Sequence, residues 1–178
     1  MYADFGFKTV NLEDCVIDRR NFGGGEIKRN GRVLNEAGKR NFLLILSPEM
    51  TDEFFDRGWN VGKFSPREEG VEPDGFMRVN VSYFKNPPII HYISGNVDTL
   101  LDESRLYLLD NVDMENIDMR VVGVNKQNKD GLWKKYAYVE EMWVTVTPDR
   151  FATKYANLRK SADVPQHPAE EDSETPFD

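Results

Sequence analysis

Two stretches of the chain interleave cationic and aromatic side chains, a mixture suited to a flexible polyanion that carries flat rings. The first holds Arg19, Arg20, Phe22, Lys28, Arg29, Arg32, Lys39, Arg40 and Phe42. The second holds Trp133, Lys134, Lys135, Tyr136 and Tyr138, opening after a turn at Lys129-Asp130-Gly131. Cations neutralise phosphates, and an aromatic face stacks on any base for about 1–3 kcal/mol. Gly23-Gly24-Gly25 would let its loop follow a flexible strand and bring backbone close to phosphate. The triplet is not an NTPase phosphate loop, because no Gly-Lys-Ser/Thr follows it. Trp59 and Arg78 join the candidate contacts. Trp59, after the helix-ending Gly58, reads equally as core or as stacking platform. Trp143 reads equally as an exposed ring or as part of a second small core. Phe42 opens an apolar run and reads as core, whereas Trp133 and Tyr136, beside two lysines, are the leading platforms and Phe22 comes next.

The overall charge of −8 conceals where the charge lies. Of 31 acids, six fall after Ser161 (Asp163, Glu170, Glu171, Asp172, Glu174 and Asp178), where there is no Lys or Arg. Between Arg19 and Arg40, seven basic residues face only Glu26 and Glu36. Charges further apart than about 10 Å are screened at physiological salt, so a polyanion senses this local excess rather than the total.

Enzyme chemistry finds little support. The two histidines, His91 and His167, lie far in sequence from Cys15 and from any serine with a catalytic signature. A zinc site lacks ligands. Asp110, Asp113, Glu115 and Asp118 could hold Mg²⁺ for a nuclease, but they read more simply as turn acids. Glu68, Glu69, Glu72 and Asp74 lie in a Gly/Pro-bearing loop and read as solvated. No catalytic residue, metal or cofactor is expected. A lone cysteine and an N-terminus without an export signal give a cytosolic reading, and no apolar run is long enough to span a membrane.

Positioning falls to a mainly β domain from about Lys8 to Val146. Apolar Met77, Val79, Val81 and Tyr83 alternate with Arg78, Asn80 and Ser82, and Ile117, Met119 and Val121 alternate with Asp118 and Arg120. Ala137 and Val139 are out of phase with Met142, Val144 and Val146, and a β-bulge at Glu140-Glu141 would return both halves to one face. Phe42 to Leu46 predicts a strand covered on both faces, and Thr9 to Ile17 is a weaker strand. Ser47-Pro48 predicts a helix start and Gly58 its end. Asp102 to Leu109 predicts a second helix after the turn at Ser94-Gly95-Asn96, and Pro148 to Arg159 a third that closes the domain. Pro87-Pro88 marks a loop or an edge-strand entry before Ile89 to Ile93. Short strands with two or three short helices predict an oligonucleotide-binding-like Greek-key barrel over residues 1–160, with a β-sandwich as the alternative. Residues 161–178, rich in Pro, Ser and acids, predict a disordered acidic tail.

That tail ends Glu170-Glu171-Asp172-Ser173-Glu174-Thr175-Pro176-Phe177-Asp178. A tethered ring beside carboxylates can dock in a partner's Lys/Arg-rimmed pocket or compete for the chain's own basic groove. The ending resembles the acidic tip of bacterial single-stranded DNA-binding proteins, which finish in acids and Pro-Phe; here Asp178 follows the Phe. The body carries Asn21-Phe22-Gly23-Gly24-Gly25, Arg40-Asn41-Phe42, Gly58-Trp59-Asn60-Val61 and Pro66-Arg67-Glu68-Glu69 in that order. Pro87-Pro88, Leu109-Asp110, Asn116-Ile117-Asp118 and Ala137-Tyr138 follow. From about Asn11 to Tyr155 it looks like phage- and prophage-encoded single-stranded DNA-binding proteins of the oligonucleotide-binding-fold class. The resemblance implies non-sequence-specific coating of DNA during replication, repair and recombination. It also implies replication or recombination proteins as partners of Glu170, Glu171, Asp172, Glu174, Pro176, Phe177 and Asp178. The oligomeric state stays open, a homodimer included. Rival readings are a protein-interaction or virion-assembly module, a metal-dependent nuclease, and an RNA-binding barrel with the same groove physics.

Overall fold

The structure is a computed structural model in which residues 1–66 and 68–148 are described. The predicted Pro148–Arg159 helix, apart from its first residue, lies outside them. So do the boundary at residue 160, the acidic tail and Arg67. The elements are β1 (Tyr2–Phe5), β2 (Thr9–Glu13), β3 (Ile17–Asn21), β4 (Ile27–Arg29), β5 (Arg32–Asn35), β6 (Arg40–Leu46) and α1 (Pro48–Asp56). β7 (Val61–Lys63), β8 (Gly75–Val81), β9 (Ile89–Ser94), β10 (Val97–Leu100), a 3₁₀ helix (Glu103–Asp110), β11 (Met114–Gln127) and β12 (Trp133–Val146) follow.

The protein is mainly β, an open mixed sheet with two short helices among the described residues. Its main sheet runs β1-β2-β11-β12-β8-β6-β3. β2 and β3 sit toward opposite ends of that order yet are joined by only Asp14-Cys15-Val16. This link bonds both ways, Cys15 N–H to the Ile117 carbonyl (2.8 Å) and Ile45 N–H to the Val16 carbonyl (2.9 Å), so the sheet curls back on itself. Closure is partial, because the parallel β8–β12 pairing spans only Val79–Asn80 against Ala137–Tyr138. Beyond it β12 pairs instead with β9, also parallel.

Period-two patterning places the core. Met77, Val79 and Val81 of β8 are buried while Arg78 between them is exposed. In β12 the pairing steps from Arg120–Glu141 to Val121–Val139, leaving Glu140 as the extra residue of a bulge. Ala137 and Val139 before it, and Met142, Val144 and Val146 after it, are all buried. Phe42, Leu43, Leu44 and Leu46 of β6 are buried as well, the two-sided cover expected of a continuous apolar run.

Caps fix the helices. Ser47 Oγ accepts from Met50 N–H (3.3 Å) with Pro48 at the first turn of α1, and Gly58 (φ +82°) lets the chain leave at the other end. Phe54 of α1 is fully buried against Trp59 (centroids 5.6 Å) and Phe5 (4.9 Å). The second helix is a 3₁₀ helix, capped by Asp102 and burying Leu106 and Leu109. It lies near the opposite end of β6 from α1, since Arg40 at the start of β6 pairs with Glu103 (2.8 Å).

The sheet is larger than periodicity suggests. β1 adds a strand before Lys8, β4 and β5 form a separate hairpin, and the turn at Gly95 leads into strand β10 before the 3₁₀ helix. β9 is therefore an inner strand, and the prolines lie in the loop before it. These added strands are short and lack a full apolar alternation. Among the described residues no helix is long and apolar enough to cross a membrane.

Candidate nucleic-acid interface

The residues that alternate away from the core on β8, β11 and β12 line a groove of about 590 Å³. Phe76, Arg78 and Asn80 come from β8, Tyr136 and Tyr138 from β12, and Lys126 from β11. Among the described residues no carboxylate lines this wall. Lys126 Nζ lies 4.8 Å from the Tyr138 ring centroid and 6.0 Å from that of Tyr136, and it donates to Tyr138 Oη. Phe76 packs on Phe64 (4.8 Å), and the Arg19 guanidinium lies 5.9 Å over Phe64, so the aromatic row runs on past the groove. An adjoining concavity of about 510 Å³ shares Lys39, Asn80 and Tyr138 with the groove and adds Tyr83, Arg40 and the exposed Phe84. Burial, followed by nearby Glu103, pushes the Tyr83 phenol above its ordinary pKa.

Of the sequence-predicted contacts, the structure brings Arg78, Tyr136, Tyr138 and Lys39 to this wall, with Arg40 in the adjoining concavity. Lys39 also pairs with Glu36. Arg29 and Arg32 are exposed on the β4–β5 hairpin, whose last residue, Asn35, reaches the groove. Lys28, on the same hairpin, is held by Glu26 (2.6 Å). Trp133 is 67 % exposed at the start of β12 but off the groove wall, and Lys134 lies over the Phe55 ring (4.4 Å). Lys135 faces Trp59 (6.0 Å) on the other side of the strand.

Several expectations are corrected. Phe22 is no platform: it is fully buried and stacked on Phe42 (5.3 Å). Trp59 resolves to core, 3 % exposed. Arg20 is spent on structure, donating to the carbonyls of Leu109 (3.2 Å) and Val112 (2.8 Å) at the end of the 3₁₀ helix. Arg40 keeps only a fifth of its side chain in solvent and is tied to Glu103. Two of the three amides of the glycine triplet are committed within the protein rather than free for phosphate. Gly23 N–H donates to Asp110 Oδ2 (2.8 Å), Gly25 N–H to Asn21 Oδ1 (3.0 Å), and the Gly24 carbonyl accepts from Gly38 (2.8 Å). A β-carbon on Gly23 would sit 3.0 Å from the Asp110 carboxylate, so glycine here serves close packing. Trp143 is half-buried with its ring stacked on His91 (5.3 Å), whose Nδ1 lies 2.7 Å from Asp98.

The same contacts explain acids that could have suggested a metal. Both oxygens of Asp110 accept backbone N–H groups, from Phe22 (2.7 Å) and Gly23. Asp118 accepts from Asp14 N–H (2.9 Å) and the Asn116 amide (3.1 Å). Glu72 and Asp52 flank Lys63. Cys15 is buried, and burial followed by the Asp118 charge pushes its thiol up to about 12, which keeps it un-ionised and a poor nucleophile.

Phe64, Phe76, Asn80 and Lys126 were not singled out from the sequence. Phe76 carried a usable signal, since it shares the parity of Arg78 and Asn80, the polar side of β8.

A family model described as "Putative phage ssDNA-binding domain" matches residues 4–177. No curated protein sequence matches the chain. Among solved structures, the chain is similar to the single-stranded DNA-binding protein from bacteriophage Enc34, with a TM-score of 0.49 and 6 % identity over 81 % of this chain and 84 % of that one. The same phage protein in complex with single-stranded DNA gives a TM-score of 0.49 and 7 % identity over 81 % and 89 %. With the family model covering nearly its whole length, the chain belongs to the phage single-stranded DNA-binding domain family.

Proposed function

We propose that this protein coats single-stranded DNA without sequence preference, along the outer face of β8, β11 and β12, during phage replication and recombination. The observation that carries the reading is a wall, with no carboxylate among the described residues, on which Arg78 and Lys126 stand among Phe76, Tyr136 and Tyr138. Phosphates meet the cations and bases stack on the rings, which tolerates any sequence because every base has a π-face. The Asn80 amide donates to the Ala137 carbonyl (3.0 Å) and that of Asn41 to Asn35 (2.6 Å), so these groups are engaged within the protein rather than aimed at base edges. The reading involves no covalent chemistry and no cofactor. Its acidic tail, read from the sequence, competes for the groove until DNA displaces it and then recruits replication or recombination proteins.

Titration of a labelled oligo-dT at several salt concentrations tests this. Arg78, Lys126 and Lys39 together predict a log–log salt slope of about −2, at roughly −0.7 per phosphate. Duplex DNA should fail to displace the oligonucleotide, and deleting residues 161–178 should tighten binding at low salt. A slope near zero, or displacement by duplex, would contradict groove binding. Unchanged or weaker affinity after the deletion would contradict the competition.

A further inference from the structure

On the other side of the β11–β12 arm from the groove lies a second concavity, of about 760 Å³. Phe5, Phe7, Lys8, Arg57, Trp59 and Lys135 contribute to its walls, and among the described residues no carboxylate lines it. Arg57 is partly committed, paired with Glu53 (2.9 Å) and lying 4.0 Å over the Phe5 ring. Lys8 is exposed, and Phe7 is 96 % exposed at the tip of a turn closed by Gly6 N–H to the Thr9 carbonyl (2.8 Å). A ring held in water by a closed turn gains apolar contact only from something that arrives.

Consecutive residues divide between this concavity and the groove. Trp59 faces one and Asn60 the other, and the same holds for Asn125 and Lys126, and for Lys135 and Tyr136. The partition is thus the arm's own root, stitched by Asn60 N–H to the Lys135 carbonyl and Lys135 N–H to the Gly58 carbonyl (2.8 Å each). A polyanion leaving the groove past Lys126 and Tyr136 has a cationic, aromatic surface waiting round that root. The remaining concavities are less suitable: the one beside Arg19 and Phe64 is lined by Asp18, Glu72 and Asp74, and the one beside Trp143 by Glu13 and Asp118.

We propose that the second concavity is an extension of the DNA path. The single strand turns round the root of the arm and continues with phosphates against Lys8 and Lys135 and a base on Phe7. This rests on the groove reading above and adds to it a longer footprint than the sheet face alone would give.

The test uses the full chain with Phe7→Ala and Lys8→Ala combined. Both side chains are exposed, and Lys8 meets the fold through its carbonyl, which accepts from Gly123 N–H (3.1 Å) and survives the change. Affinity for an oligo-dT of about 30 nucleotides should fall about tenfold, while one of about 10, short enough for the groove alone, binds as before. Lys8→Glu alone should weaken the longer oligonucleotide in the same selective way. Equal loss on both lengths, or loss on neither, overturns the extended path. No binding of either length by the unsubstituted chain would instead remove the groove reading on which it rests.

Discussion

From Arg19 to Phe42 the chain carries basic and aromatic side chains that the fold turns largely on itself. Phe22 and Phe42 stack in the core, Arg20 caps the 3₁₀ helix, Arg40 pairs with Glu103 and Lys28 is held by Glu26, while Lys39, though paired with Glu36, still reaches the groove. From Trp133 to Tyr138 the same mixture of residue types stands on one long strand, and its tyrosines open onto a groove with no described carboxylate. What separates the two segments is the supply of internal partners. The first segment borders the end of the 3₁₀ helix, whose unpaired carbonyls and whose Asp110 take up its donors. The second is an alternating strand, in which every other side chain must point away from the core.

Phe22→Ala sharpens the contrast most. It should cost about 3–5 kcal/mol of folding stability by opening a core cavity. DNA affinity of the folded protein should stay unchanged; a selective loss of affinity would return Phe22 to the interface. Asp110→Ala comes next. It strands the amides of Phe22 and Gly23, and should lower stability by about 1–3 kcal/mol in denaturant unfolding. The smallest effect is expected from Arg78→Ala, which should leave the melting temperature alone and reduce the salt slope of DNA binding by about 0.7. A slope change from Arg20→Ala instead would reverse the assignment of the two segments.

How much the sequence revealed follows from the range of the interactions. Strand faces, the Glu140 bulge and the Ser47 cap are local, set by residues within a few positions, and the structure reproduces each. The fate of Arg20 is not local: its acceptor, Val112, lies 92 residues away, and Asp110 lies 87 from Gly23. No pattern within the Arg19–Arg40 stretch announces partners at that separation, so its positive charge looked freer than it is. Tyr136, Tyr138 and Arg78 were legible because parity and composition agreed. Phe76 was readable from the same parity, yet it stands just ahead of the Met77-Val79-Val81 alternation and is easily grouped with it. Lys126 needed the tertiary structure: the β11–β12 register sets it opposite Lys134, and its long side chain reaches along the strand to the Tyr138 ring. Short strands such as β4, β7 and β10 depend on tertiary pairing, and sequence propensity alone does not announce them.

The central claim is that the outward face of β8, β11 and β12 holds single-stranded DNA. Its most direct test is fluorescence titration of oligo-dT against the unsubstituted chain and against a Tyr136→Ala, Tyr138→Ala double variant, with thermal melting run in parallel. At about 1–3 kcal/mol per stacked base, the variant should bind at least tenfold more weakly while melting near the unsubstituted temperature. Equal affinity of the two proteins would contradict the account and move the DNA path off this face.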